Sequence, residues 1–355
     1  MLKQNKQNRR FLISAMLFGT FNNTPGFAAP AYKGPVTDHF NGEKFFNRVN
    51  SNVGMIDFFK FSLPFNFIKK DWPKWINTTP QKISPPGQTE DEISVTFINH
   101  STLLIQVDGV NILTDPIFTQ RTSSLSWIGP KRVCNPGVNI EDLPPIDVIL
   151  ISHNHYDHLD IESLQLLQAQ NTENQPPLIL SGLGNGMLFE NHQLNNFKDL
   201  DWEQSVQYKN IEFVFTETQH RSGRGILDQN KTLWGGFVIK TRLGNIYFAG
   251  DTGYGPHFKK ARKIHGDFML ALLPIGAYEP RWFMEIAHLN PEDAVAAHMD
   301  LNSKKSMGIH FGTFQLTYEG IDQPVIDLKK ALKNKQIPET DFIVPEFGKT
   351  HILEP

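Results

Sequence analysis

Ile149-Leu150-Ile151-Ser152-His153-Asn154-His155-Tyr156-Asp157-His158-Leu159-Asp160 is the stretch on which the reading of this chain turns: a short apolar run empties into three histidines and two aspartates within eight residues. Val148 to Ile151 predicts a buried strand, and the polar cluster then falls at its C-terminal end, where sheets covered on both faces place their chemistry. A lone His-x-His would read as a solvated loop. His153, His155, Asp157 and His158, spaced two, two and one apart, read instead as metal ligands, because imidazole and carboxylate are the side chains that hold zinc-like ions.

Outward from this stretch, other apolar runs end in the same way. Ile211 to Thr216 alternates as a strand and leads to Gln219-His220. Trp234 to Lys240 and Asn245 to Ala249 form a hairpin about Leu243-Gly244 that delivers Gly250-Asp251-Thr252-Gly253, and Met307 to His310 is a strand carrying His310. On the N-terminal side, Ile93 to Phe97 alternates, and Asp108-Gly109 between Thr102–Val107 and Val110–Leu113 is a strong hairpin signal. His100 and Asp115 close these strands, either as support for the site or as structural hydrogen-bonding residues. Leu164, Leu166 and Leu167 suggest a helix, Phe268 to Leu273 a buried strand, and Pro291 to Met299 a helix opened by proline. Strands and helices thus alternate in two successive halves, an α/β chain without a recognisable sequence repeat. Four segments converge on a dinuclear site, whose ions would lie about 3.5–4 Å apart. His153, His155 and His220 would bind one ion, Asp157, His158 and His310 the other, with Asp251 between them and a water deprotonated near neutral pH as nucleophile.

The rest of the composition narrows the class. The 355 residues are 39% hydrophobic and 20% charged with a net charge of -3, which suits a globular chain with a sizeable core. Lys plus Arg (34) fall below Asp plus Glu (37), so the basic excess of a nucleic-acid binder is missing. The one cysteine, Cys134, excludes an intrachain disulfide and reads as a small packing residue. Lys3, Lys6, Arg9 and Arg10 precede an apolar run from Phe11 to Phe21 and then small residues, the layout of a signal peptide cut after Ala28 or Ala31. Residues 1–28 are therefore expected to direct export to a bacterial periplasm or beyond; uncleaved, the protein would stay in the cytoplasm. Residues 29–90 form an aromatic-rich extension, in which Phe58, Phe59, Phe61, Trp72 and Trp75 beside Lys69, Lys70 and Lys74 either dock on lipid or pack on the main body. Residues 91–355 are expected to form the catalytic domain.

The ligand order His-x-His-x-Asp-His, then His220, Asp251 and His310, resembles the metallo-β-lactamase superfamily. Longer runs resemble one of its families, the N-acyl-phosphatidylethanolamine-hydrolysing phospholipases D: Asp115-Pro116-Ile117-Phe118, Gly129-Pro130-Lys131-Arg132, Leu143-Pro144-Pro145-Ile146-Asp147, Ser152 to Asp160, Phe248 to Tyr254, Pro274 to Met284 and Lys304-Lys305-Ser306-Met307. The resemblance spans roughly Ile93 to Gly348. It implies an αβ/βα sandwich with the dinuclear site at one edge, two zinc ions per chain, a phospholipid substrate met at a membrane surface, and homodimers. The implied reaction releases phosphatidic acid and an N-acylethanolamine, with Asp157 and Asp251 in the catalytic centre. His288, in Ala287-His288-Leu289-Asn290-Pro291, matches a family histidine that orients or protonates the phosphate, and Tyr278 and Arg281 fall in a matching run as substrate contacts. Arg221 stands where animal members carry an aromatic residue, which opens the question of acyl and headgroup preference. Two other readings compete: another hydrolase on the same site, such as a lactonase, and a zinc-containing lipid-binding protein without turnover.

Overall fold

The structure, a computed structural model, describes residues 32–49, 70–83, 92–170, 176–225 and 227–354. The expected export segment and most of the expected lipid-docking stretch, Phe58, Phe59 and Phe61 included, lie outside the described residues; Trp72 and Trp75 lie within them.

Among the described residues the strands form two sheets. The first runs in the order β14-β1-β2-β3-β4-β5-β6 and the second β13-β12-β11-β10-β9-β8-β7. Their bounds are β1 Ile93–Asn99, β2 Thr102–Val107, β3 Val110–Thr114, β4 Val148–Ile151, β5 Leu178–Gly182, β6 Phe197–Leu200, β7 Ser205–Tyr208, β8 Ile211–Thr216, β9 Gly236–Thr241, β10 Gly244–Phe248, β11 Phe268–Pro274, β12 Lys305–Ile309, β13 Phe342–Ile343 and β14 Thr350–Leu353. The helices that follow the argument are α1 Ile161–Gln170, α2 Gly186–Asn191, α3 His257–His265, α4 Arg281–Met284, α5 Pro291–Leu301 and α6 Gln323–Lys335.

Strand periodicity explains the layering. In β4, Val148 and Leu150 enter the core between the sheets, while Ile149 and Ile151 meet Leu164 and Leu167 of α1 and Leu188 and Phe189 of α2 on the other face. In β11, Leu270 and Leu272 face the inter-sheet core, and Ala271 and Leu273 pack under α3, α5 and α6. Both faces of each central strand are therefore buried, which is why these strands read as unbroken apolar runs. The result is the expected four-layer αβ/βα sandwich.

The two sheets repeat one plan. β14-β1-β2-β3 are antiparallel and are followed by parallel β4, β5 and β6. β7-β8-β9-β10 are antiparallel and are followed by parallel β11, β12 and β13. The first half is completed by a strand from the far end of the chain: β14 pairs with β1 in the register Ile93↔Leu353 to Thr96↔Thr350. The segment 32–49 also belongs to the core, since Phe40 and Phe45 are buried within it.

Candidate metal centre

The ligand segment begins where β4 ends, and its first turn is fixed by Asp115, one residue past β3. The Asp115 carboxylate accepts from the Ser152 amide at 2.8 Å, the Ser152 hydroxyl at 2.6 Å and His158 Nδ1 at 2.7 Å. Binding Nδ1 in this way leaves His158 Nε2 as the ligating nitrogen. The segment lies against Gly250 so closely that a Cβ there would fall 2.4 Å from Ser152 Cβ, and Gly250 also sits at φ +57. Only glycine meets both demands.

The seven residues expected as ligands meet in two groups. His153 Nε2 lies 2.8 Å from His155 Nδ1, and His220 Nε2 lies 3.3 Å from the same atom. In the second group, Asp157 Oδ2 is 3.5 Å from His158 Nε2, 3.4 Å from His310 Nε2 and 3.1 Å from His100 Nε2. Asp251 Oδ2 stands between them, 3.3 Å from His158 Nε2, 3.2 Å from His310 Nε2 and 3.8 Å from His220 Nε2. His288 completes the surroundings, with Nδ1 3.7 Å from Asp251 Oδ2 and its ring perpendicular to that of His220.

The electrostatics divide the same way. Burial, reinforced by neighbouring histidines, holds His153 well below its ordinary value; burial also brings His155 and His220 down to about 3. These imidazoles are neutral, as metal ligation requires. At His310 burial opposes charge, but Asp251 and Asp157 outweigh it and lift the pKa to about 9. His158 is raised for the same reason, with burial overcome by Asp251, Asp157 and Asp115. In the second group, Asp157 and Asp251 thus favour the charged form of His158 and His310, the pull that a bound cation would take over.

Several supports come from far away in sequence. Asn47, on the segment 32–49, brackets the His220 backbone: its Nδ2 donates to His220 O at 2.8 Å and its Oδ1 accepts from His220 N at 3.1 Å. The His220 ring is oriented by Nδ1 donating to Ala287 O at 2.8 Å. Arg224 ties down the ligand loop, with Nη1 donating to Asn154 O at 3.1 Å and Leu159 O at 2.8 Å while its guanidinium lies 4.0 Å over the Tyr156 ring. No spacing rule points to Asn47 or Arg224. His100, by contrast, was legible as a strand-end residue; it contacts Asp157, and its carbonyl accepts from His310 N at 2.7 Å.

Tyr278 and Arg281, expected to touch substrate, have their polar ends engaged within the protein. The Tyr278 hydroxyl donates to Asp327 Oδ2 at 2.6 Å on α6. Arg281 donates to His288 O at 2.7 Å and pairs with Asp293 on α5, so it reaches the site through the His288 backbone. Both groups thus have partners among this chain's own oxygens.

The donor set fits two cations. Asp251 Oδ1 is buried and has no hydrogen-bond partner among the described residues, a costly state for a polar atom unless a ligand completes it, and His158 Nε2 and His310 Nε2 converge on the same carboxylates of Asp157 and Asp251 at 3.2–3.5 Å. His153, His155 and His220 form one compact donor group; Asp157, His158 and His310 form another, joined by His100. Three imidazoles against two imidazoles and a carboxylate suit borderline first-row ions such as zinc.

Residues 110–311 match the Beta-lactamase superfamily domain. The chain is 32% identical over 340 residues to N-acyl-phosphatidylethanolamine-hydrolyzing phospholipase D 1 of Caenorhabditis elegans, covering 92% of this chain and 95% of that one. It is 33% identical over 267 residues to the mitochondrial N-acyl-phosphatidylethanolamine-hydrolyzing phospholipase D of Saccharomyces cerevisiae, covering 73% of this chain and 56% of that one. Among solved structures, a metallo hydrolase from the archaeon Ignicoccus hospitalis superposes with a TM-score of 0.55 at 19% identity, over 74% of this chain and 99% of that one. An isothiocyanate hydrolase from Delia radicum gut bacteria does so with a TM-score of 0.57 at 20% identity, again over 74% and 99%. These two likenesses speak for the fold.

Proposed function

Because the chain belongs to the N-acyl-phosphatidylethanolamine-hydrolysing phospholipase D family of the metallo-β-lactamase superfamily, and is thereby a metallohydrolase, we propose that it is a dizinc phosphodiesterase. Its substrate is N-acyl-phosphatidylethanolamine or a related phospholipid, and its products are phosphatidic acid and an N-acylethanolamine. The observation that carries this reading is the meeting of His153, His155 and His220 with Asp157, His158 and His310 around Asp251 Oδ2, with His288 beside it.

His153, His155 and His220 would hold one ion and Asp157, His158 and His310 the other, with Asp251 shared. When bound, the pair of ions supplies Lewis acidity toward the phosphoryl oxygens and lowers the pKa of water. The protein's own part is placement. Asp115 keeps His158 Nε2 free for ligation by holding Nδ1, and Ala287 O does the same for His220. Burial of the ligands excludes bulk water, which strengthens every charge interaction on the phosphodiester. His288, next to Asp251 and His220 and kept neutral chiefly by burial, is placed to orient the phosphate, while the proton taken up by the departing alkoxide of the ethanolamine arm is the one the attacking water gives up.

The test is incubation of zinc-loaded protein with N-acyl-phosphatidylethanolamine vesicles in water enriched in oxygen-18. Release of unlabelled N-acylethanolamine with label in phosphatidic acid is expected, because water bonds to phosphorus and the P–O bond to ethanolamine breaks. No product from fully metal-loaded protein refutes the reading. An extracytoplasmic location and peripheral contact with the lipid surface belong to the same proposal. An N-terminus still starting at Met1 in protein recovered from cells would refute export, and vesicle binding unchanged by Trp72→Ala together with Phe58→Ala would refute docking through the aromatic extension.

A further inference from the structure

Arg221 follows His220 directly, and its side chain is half-buried. Its guanidinium lies 5.8 Å over the Phe283 ring of α4, and among the described residues it makes no hydrogen bond or ion pair. That sets it apart. Arg48, Arg121, Arg132, Arg224, Arg242, Arg262 and Arg281, the other arginines among the described residues, each have a carboxylate or carbonyl partner. A cation removed from water without a partner is destabilising. The Phe283 face offsets part of that cost without neutralising the charge.

The location bears on what the partner is. Arg221 directly follows His220, and its ring partner Phe283 precedes Met284, whose carbonyl accepts from His288 N at 2.8 Å, which sets the guanidinium at the edge of the candidate centre. The phosphodiester's own charge is met by the ions at the centre; Arg221 lies outside that ligand set and keeps its charge for a second anionic group. In a diacyl phospholipid the remaining glycerol oxygens are esterified, so the headgroup is where a second anion is carried.

We propose that Arg221 is a specificity-determining residue that receives a second anionic group, a headgroup carboxylate beside the scissile phosphodiester. The guanidinium then gains the bidentate oxygen partner that no side chain among the described residues provides. The proposal rests on the phospholipid phosphodiesterase reading and names the substrate class within it.

The experiment uses two matched pairs that differ by one carboxylate. N-acyl-phosphatidylserine and N-acyl-phosphatidylethanolamine in vesicles give a ratio of kcat/KM values, and N-acetyl-O-phosphoserine and N-acetyl-O-phosphoethanolamine give a ratio of dissociation constants by calorimetry, free of turnover. For the zinc-loaded full chain, both ratios are expected to favour the carboxylate by about tenfold or more, the scale of a charge-assisted hydrogen bond. Arg221→Gln should bring both ratios to within about twofold of unity at unchanged zinc content, and Arg221→Lys should keep part of the preference. Ratios near unity in the natural protein overturn the proposal, as does a ratio that survives Arg221→Gln, the result expected if the guanidinium merely binds the phosphate. If neither lipid is hydrolysed but the soluble pair is discriminated through Arg221, the anion site stands and the phospholipase reading falls.

Discussion

Asp251 Oδ2 is the atom where the two ligand groups meet, within 3.8 Å of His158, His220, His288 and His310. Asp251→Asn keeps the shape and removes the charge, and is expected to lower zinc stoichiometry and turnover together; unchanged zinc content and activity would contradict the ligand assignment. Asn47→Ala leaves every ligand in place but frees the His220 backbone. We expect roughly tenfold weaker zinc binding, the worth of about one lost hydrogen bond, read by competition with a chromophoric chelator; an unaltered affinity would assign Asn47 to stability alone. At Gly250, alanine would press on Ser152 in a backbone conformation it disfavours, so Gly250→Ala should destabilise by about 3 kcal/mol. A melting temperature within a degree or so of the natural protein's would speak against this tight approach. The candidate ligands were legible because they cluster just past the ends of apolar strand runs. Asn47 was not, because its partner is a backbone atom 173 residues away, and a backbone partner leaves no mark on the sequence.

At the scale of elements, reading succeeded where side-chain chemistry fixes the backbone. Asp108 and Gly109 take φ +50 and +68, the left-handed pair that a two-residue hairpin turn needs. The hairpin near Leu243-Gly244 also forms, with Gly244 itself pairing with Thr241. The strands that escaped notice are polar or short: Phe197–Leu200, Ser205–Tyr208, Phe342–Ile343 and Thr350–Leu353 are the edge strands of the two sheets, and none buries more than one residue. Helix α3 was hidden for a related reason, since its sequence HFKKARKIH buries only His257, Phe258 and Ala261. Helix α5, in contrast, announces itself through Pro291 in its first turn, where Asn290 and Asp293 form a capping box. Asp293 also pairs with Arg281, which holds His288 O. Asn290→Ala should therefore cost about 1 kcal/mol and lower turnover as well, through loosening of His288. A stability loss with kcat untouched would separate the cap from the site.

For the whole molecule, the opposed shifts of the buried histidines set the pH response of the metal-free protein. His155 and His220 are depressed to about 3 from 6.5, chiefly by burial, so unfolding takes up protons between those values and stability rises with pH across that window. His310 is raised to about 9, burial being outweighed by Asp251 and Asp157, so its contribution is complete below 6.5 and disappears as pH climbs through 9. His158 acts in the same direction. Chelated protein should thus melt highest near pH 6.5 and progressively lower toward pH 9, whereas zinc, which replaces those protons, should remove the alkaline decline. A chelated protein whose melting temperature keeps rising from pH 6.5 to 9 would contradict this. The architecture as a whole was read correctly as layered α/β in two successive halves, but no repeat marks them in the sequence, because the halves share hydrogen-bonding order and not residues.

The pairing of β14 with β1 carries a consequence for biosynthesis. Ile93–Asn99 leaves the ribosome long before Thr350–Leu353 is translated, so throughout elongation the first half presents a bare strand edge of the kind that recruits other chains. Translation of Thr350–Leu353 is then also the act that seals this edge. Ribosome stalling just before Thr350 should yield nascent chains that aggregate or call on chaperones, even though every candidate ligand, His310 the last of them, has already been made.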